Sequence, residues 1–167
     1  MKKIMRFALV MVSAALFLAT PARASNEESE IRGLLARWQK AANAKDLDAV
    51  MACYAPGDQI VAYDIVPPLQ CVGHDAYRKN YAEFFAGYDG PLVWQMRDVH
   101  IMAGADVAFI SALESVTGTI KGGQKSESWL RVTSGFRKIK GQWLIVHDHV
   151  SVPADLATGK ALLELKP

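Results

Sequence analysis

The chain has 167 residues, with 19 Lys and Arg against 17 Asp and Glu and a formal charge of +2. That length suits one domain with a real core. A charge this close to balance gives no electrostatic case for nucleic acid as a partner.

The first residues read as an export signal. Lys2, Lys3 and Arg6 form a basic start, Phe7 to Leu18 is apolar except for Ser13, and Ala22-Arg23-Ala24 is a small-x-small cleavage site. The expectation is a secretory signal peptide over residues 1–24, with Ser25 as the new N-terminus. The segment is too short and wrongly flanked for a stable membrane span. No cysteine lies near the cleavage site to carry a lipid. Cleavage would remove four basic residues and no acid, taking the formal charge to −2. A periplasmic or secreted protein without a membrane contact after cleavage is expected. Cys53 and Cys71 are the two cysteines. An oxidising compartment permits a disulfide between them, and two separate buried thiols are the other reading. Spacing does not choose, because geometry decides.

In chain order, Ser25-Asn26-Glu27-Glu28-Ser29-Glu30 predicts a helix start, with acids in the first turn. Ile31, Leu34, Leu35, Trp38 and Ala42 continue it at helical spacing. Asp46 caps a second, shorter helix with Leu47, Val50, Met51 and Tyr54 inward, ended by Ala55-Pro56-Gly57-Asp58. Gln59 to Tyr63 is a short strand, and Asp64-Ile65-Val66-Pro67-Pro68 an extended loop. Gly73-His74-Asp75 leads into a third helix, where Tyr77, Tyr81, Phe84 and Phe85 are the bulky residues, and Gly87 to Pro91 is a turn. Four strands follow, over Leu92–Met102, Val107–Ile120, Glu127–Lys138 and Gln142–Val152. Their short links predict antiparallel pairing. The tail from Ala154 is weakly helical. This order predicts an α+β fold, with three N-terminal helices packed on a strongly curved antiparallel sheet. Such a cone has an open mouth suited to a small ligand.

Chemistry concentrates in the last hairpin. Strand alternation puts His147, His149 and Ser151 on one face, and Leu144, Val146, Asp148 and Val150 on the other. Trp129, Arg131 and Thr133 share a face of the preceding strand. If register sets the two groups side by side, they form a polar pocket with an aromatic wall. Arg131 could then clamp an anionic or carbonyl group, and the histidines could move protons. Two histidines about 6.6 Å apart along a strand could also share a zinc ion. A third ligand would have to be His100, Glu114 or Asp64, and spacing selects none. Two groups on one strand project in parallel, which argues against a Ser151–His nucleophile. Asp64 at the cone mouth is a candidate base, against the plainer reading of a loop aspartate bonded to its own backbone. Tyr63, and Tyr77 with Tyr81 on the third helix, could reach inward, or Tyr77 and Tyr81 could be half-buried core.

The segment Trp129-x-Arg131-x-Thr133-x-Gly135-Phe136-Arg137-Lys138, with Gly141-x-Trp143-Leu-Ile-Val-His147-x-His149-x-Ser151-Val-Pro153, resembles the SnoaL-like, ketosteroid-isomerase-like branch of the nuclear transport factor 2-like superfamily. Ala44-Lys45-Asp46-Leu47-Asp48, the Tyr63–Pro68 loop and Gly73-x-Asp75-Ala76-Tyr77 fit it upstream, so the likeness spans nearly all of the chain beyond the leader. The last segment is also similar to the association domain of calcium/calmodulin-dependent protein kinase II. The resemblance implies a cone-shaped fold with a deep pocket, and a homodimer that pairs through sheet faces. It implies no single activity, since isomerases, dehydratases and oligomerisation modules share the fold. Ketosteroid isomerases combine an acidic base with a Tyr and a protonated Asp as oxyanion donors. Asp64 and Tyr63 lie in the fitting region, and no second acid matches.

The sequence therefore points to an exported small-molecule-binding domain. Its expected catalytic residues are His147, His149 and Asp64. Its expected ligand contacts are Tyr63, Tyr77, Trp129, Arg131, Thr133 and Ser151, with an anionic or carbonyl-containing ligand. The chemistry would be cofactor-free proton transfer in an isomerase, hydratase or dehydratase. The alternative is a non-catalytic oligomerisation or protein-binding module.

Overall fold

The computed structural model describes residues 21–167, with side chains from residue 26 onward. Residues 1–20 of the expected 1–24 leader lie outside the described residues. The elements are α1 (Pro21–Ala44), α2 (Leu47–Met51), a 3-10 turn at Gly57–Gln59, β1 (Val61–Tyr63), β2 (Cys71–Val72), α3 (His74–Ala86), β3 (Tyr88–Ala103), β4 (Val107–Ile120), β5 (Lys125–Ile139) and β6 (Gln142–Ser151). The helices do not form one leading block, because the 3-10 turn and two short strands separate α2 from α3.

The strands make one six-stranded sheet in the order β2-β1-β6-β5-β4-β3. β2 and β3 are its two ends, so the sheet does not close. β3 to β6 form an antiparallel meander. The sheet is not wholly antiparallel, however, since β1 runs parallel to β6, with Val61 opposite His147 and Tyr63 opposite His149. Bulges bend it. Register shifts occur in β3 between Asp89 and Val93 and again between Arg97 and His100, and in the last hairpin at Gly135/Phe136. The expected turn at Gly87–Pro91 is the first of these. Gly90 takes φ +68°, which glycine adopts without a side-chain clash, and the strand runs on through it from Tyr88.

The core lies between the inner sheet face and the helices. α1 contributes Ile31, Leu34, Leu35, Trp38, Ala41 and Ala42, all buried at helical spacing. α2 begins at the Asp46 cap, whose side chain accepts from the Ala49 N–H at 3.0 Å. β4 presents Ala108, Ile110, Ala112, Glu114 and Val116 inward, and β5 presents Leu130, Val132, Ser134 and Phe136. Glu114, Ser134 and Asp148 are polar residues buried among these strands.

Two further expectations are corrected. α1 starts at Pro21 rather than at the Ser25 region, so Glu27 is no solvated first-turn acid. It is buried, and takes bonds from Lys138 Nζ at 2.7 Å and Trp143 Nε1 at 2.8 Å. The tail beyond β6 is not helical. Asp155 binds the Ala157 and Thr158 N–H groups, and Ala154 bridges to Ala161, giving a turn in place of a helix. Cys53 and Cys71 are both buried and unpaired. Among the described residues, no helix is long and apolar enough to cross a membrane.

Candidate functional site

One feature of β6 decides which side chains meet. Gly135 pairs with His147, but Phe136 pairs with Ile145, so Val146 has no partner. Before this bulge Trp143 and Ile145 face inward, and after it Asp148 does. An extra residue in a strand shifts its two-residue alternation by one. His147, His149 and Ser151 thus take the outer face.

The outer group still assembles as a set. Thr133 lies opposite His149, and Arg131 opposite Ser151. Tyr63 sets its ring edge-on to both histidines, at 5.2 Å and 5.8 Å between centroids. His147 Nδ1 lies 2.8 Å from the Val61 carbonyl, and the Arg97 guanidinium sits over the Trp129 ring at 5.6 Å. None of Tyr63, Trp129, Arg131, Thr133, His147, His149 or Ser151 lines the inner cavity. The expected pocket around Arg131 is therefore the outer surface of the sheet. Zinc chelation by the histidines meets the same obstacle, since Glu114 and Asp64 border the cavity on the other side. Among the described residues, no three candidate metal ligands come together.

The inner cavity measures about 90 Å³ and is bounded by α1, α3, the 64–66 loop and β3 to β6. Of the predicted site residues it holds Asp64 and Tyr77. Its polar centre is Asp148, 5% exposed. Ser134 Oγ donates to its Oδ1 at 2.5 Å, while Tyr54 and Tyr77 donate to Oδ2 at 2.8 and 3.3 Å. The Tyr54 oxygen in turn accepts from Trp38 Nε1 at 3.1 Å and lies 2.9 Å from the Tyr81 hydroxyl. With the Tyr54 proton given to Asp148, the Tyr81 hydroxyl donates to Tyr54. Burial holds all three tyrosine hydroxyls well above the ordinary tyrosine range, so they act as donors and not as bases.

Burial pushes Asp148 up to about 6, against the pull of Ser134, Tyr54, Tyr77 and the nearby His147. Glu114 on β4 is the second buried acid, 4% exposed. Its Oε2 accepts from Trp94 Nε1 at 2.9 Å. Burial raises it to about 8 despite that bond, and the negative charges of Asp148 and Asp64 add to the rise. Near neutrality Asp148 is ionised and Glu114 protonated, a separation that suits one acid to accept protons and the other to hold one. Asp64 stands at the mouth, with its Oδ1 taking the Ile65 N–H at 2.7 Å, and burial raises it too. It therefore combines the local loop bond with a place on the cavity.

The sequence singles out none of Asp148, Tyr54 and Ser134 as a site residue, and it offers Glu114 only as a third zinc ligand and Tyr81 only as a tyrosine that could reach inward. Glu114 carried a readable signal, an acid in inward phase with Ile110, Ala112 and Val116. Asp148 carried another, an acid set on the apolar face of its strand.

Comparison with known proteins places this architecture. The SnoaL-like domain profile matches residues 31–155. The chain belongs to the SnoaL-like domain family, within the nuclear transport factor 2-like superfamily. An NTF2-like protein of unknown function from Pseudomonas putida KT2440 is 34% identical, with 86% of this chain and 99% of that chain covered and a TM-score of 0.78. A ketosteroid isomerase-like protein from Erwinia carotovora atroseptica SCRI1043 is 24% identical over 75% of this chain and 95% of that one, at a TM-score of 0.64. A candidate dehydratase of the NTF2-like family from Streptomyces avermitilis is 15% identical over 77% and 97%, at 0.67. The last two show a shared fold. No curated protein matches the chain.

Proposed function

We propose that this is an exported small-molecule-binding protein whose inner cavity carries out cofactor-free proton transfer, as an isomerase, hydratase or dehydratase. The observation that carries the reading is Asp148, a buried carboxylate on the cavity wall with an affinity for protons near neutrality. A general base works best when its pKa lies close to the working pH. Ser134, Tyr54 and Tyr77 hold its orientation by three donated bonds. In this reading Asp148 takes a proton from a ligand carbon beside a carbonyl and returns it elsewhere on the ligand. The apolar walls, Leu130, Val132 and Val150 among them, keep bulk water from the exchanging proton.

The anionic ligand expected from Arg131 is set aside, because no Lys, Arg or His among the described residues lines the cavity. The test is solvent deuterium exchange into small cyclic ketones, followed by NMR. Exchange beside the carbonyl should accelerate with the protein and fall by about 100-fold or more in Asp148→Asn. Equal exchange with both proteins would remove Asp148 as the base.

The alternative, a non-catalytic assembly or protein-binding module, draws on the outer sheet face. Val93, Met102 and Phe109 are exposed there, on the same side as Arg131 and His149. A second copy of the chain packed on this face gives a homodimer, an arrangement that catalysis also tolerates. Sedimentation of Phe109→Glu against the parent tests it, with dissociation expected from the variant. Cell fractionation with N-terminal sequencing tests export, with Ser25 as the expected first residue.

A further inference from the structure

The cavity has a second pole that proton transfer at Asp148 leaves unused. Glu114 receives a single hydrogen bond, on Oε2 from Trp94. Every fully enclosed polar side-chain atom among the described residues has a partner. The unpartnered Oε1 of Glu114 therefore borders open space, which is the cavity it lines. Aromatic rings gather at this end. Trp38 stands edge-on to Trp94 with centroids 5.0 Å apart, and Phe84 lies 5.5 Å from Trp94. All three line the cavity with Glu114. Among the described residues no cation compensates this acid, and the titratable groups that interact with it are Asp148, Asp64 and the Tyr81 hydroxyl, none of them basic.

A buried carboxyl group with a free oxygen, three aromatic rings and no basic neighbour is a poor seat for an anion. It is a good seat for an ammonium group. Ring faces attract cations, and do so more strongly out of water. An N–H donor on the ligand would supply the bond that Oε1 lacks. The register separates this pole from the other. Glu114 lies opposite Leu130, while Asp148 lies opposite Ser134, four residues further along β5. That is about 13 Å along the strand direction, with two strand spacings of about 4.8 Å between β4 and β6 besides, and the curl of the sheet brings the two carboxyl groups near enough to act on each other. The cavity, about 90 Å³, has room for roughly six waters at about 15 Å³ each. That is the size of one six-membered ring.

We propose that the Glu114 end is an ammonium subsite, and that the substrate class is a small amino-carbonyl compound of about one ring. Its amine sits on Glu114 between Trp38, Phe84 and Trp94, and its acidic C–H faces Asp148. The proposal rests on the reading of the inner cavity as the ligand site. Around pH 7 the arriving ammonium displaces the proton that Glu114 holds. That proton leaves to solvent, so charge balances as an ammonium carboxylate pair.

The test is isothermal titration of the purified protein with three probes of one shape and different charge. They are cyclohexylammonium, cyclohexanone and cyclohexanecarboxylate. Cyclohexylammonium should bind about tenfold tighter than cyclohexanone, and cyclohexanecarboxylate not at all. Its heat at pH 7 should vary with the buffer's ionisation enthalpy, reporting release of about one proton. Glu114→Gln, checked for folding by circular dichroism, should lose about tenfold or more for the ammonium and little for the ketone. Equal or tighter ketone binding, or no proton release, overturns the ammonium subsite and leaves the cavity reading standing. Failure of all three probes to bind overturns both.

Discussion

Replacing Glu114 by Gln should stabilise the protein, and by an amount that grows with pH. Folding lifts this carboxyl group from 4.5 to about 8. Between those values the folded chain keeps a proton that the unfolded chain releases. Wild-type stability therefore falls as pH rises through this window, by about 1.4 kcal/mol per pH unit, and levels off above pH 8. The whole window is worth about 5 kcal/mol, comparable with the total stability of a small domain. Gln has the same shape, still accepts from Trp94, and has no proton to lose. Asp148 follows the same sign between 3.8 and about 6. Above pH 6.5 that contribution is nearly constant in both proteins, so the Glu114 effect stands alone. Urea unfolding of both proteins at pH 6.5, 7.2 and 8.0 should show the Gln variant's advantage widening by about 2 kcal/mol. A constant difference across the three pH values would mean that Glu114 is already ionised and solvated, and would refute the assignment of a buried neutral acid.

Tyr54→Phe removes a donor from Asp148 and leaves Trp38 Nε1 and the Tyr81 hydroxyl without their acceptor. It should cost about 1–3 kcal/mol in chemical denaturation, and carbon NMR of the Asp148 carboxyl should titrate above its wild-type position. Ser134→Ala should raise the same titration, with a loss of about 1 kcal/mol. His149→Ala should leave ligand affinity at the inner cavity unchanged in calorimetry, since His149 is on the outer face. A thiol reagent should find Cys53 and Cys71 nearly inert in the native protein and both reactive in denaturant, because both are buried and burial raises both thiols.

Periodicity made most of the fold legible. The inward residues of α1 and the three tight turns between β3 and β6 lie where spacing and turn chemistry put them. The site was legible only in part, for a physical reason. Which residues of β5 and β6 are neighbours follows from hairpin register, and Arg131, Thr133, His149 and Ser151 do lie together. Which side they face depends on where Val146 loses its partner, and no local propensity of Leu144-Ile145-Val146 marks that place. The two tyrosines on Asp148 come from just past α2 and from α3, 94 and 71 residues away in sequence. Only packing brings them there. Asp64 and Tyr77 were the exceptions, because a loop end and a helix start at the cavity mouth depend little on strand phase.

The parallel pairing of β1 with β6 also governs the order in which the molecule can form. The bond between His147 and the Val61 carbonyl spans 86 residues. Contacts of such long range form late, because the intervening chain must first be closed into a loop. During synthesis β1 and β2 wait as an orphan pair until Gln142–Ser151 has been made. A chain that ended before Gln142 would lose its last strand and the anchorage of its first two, and with them Asp148 and the support of the Asp64 loop.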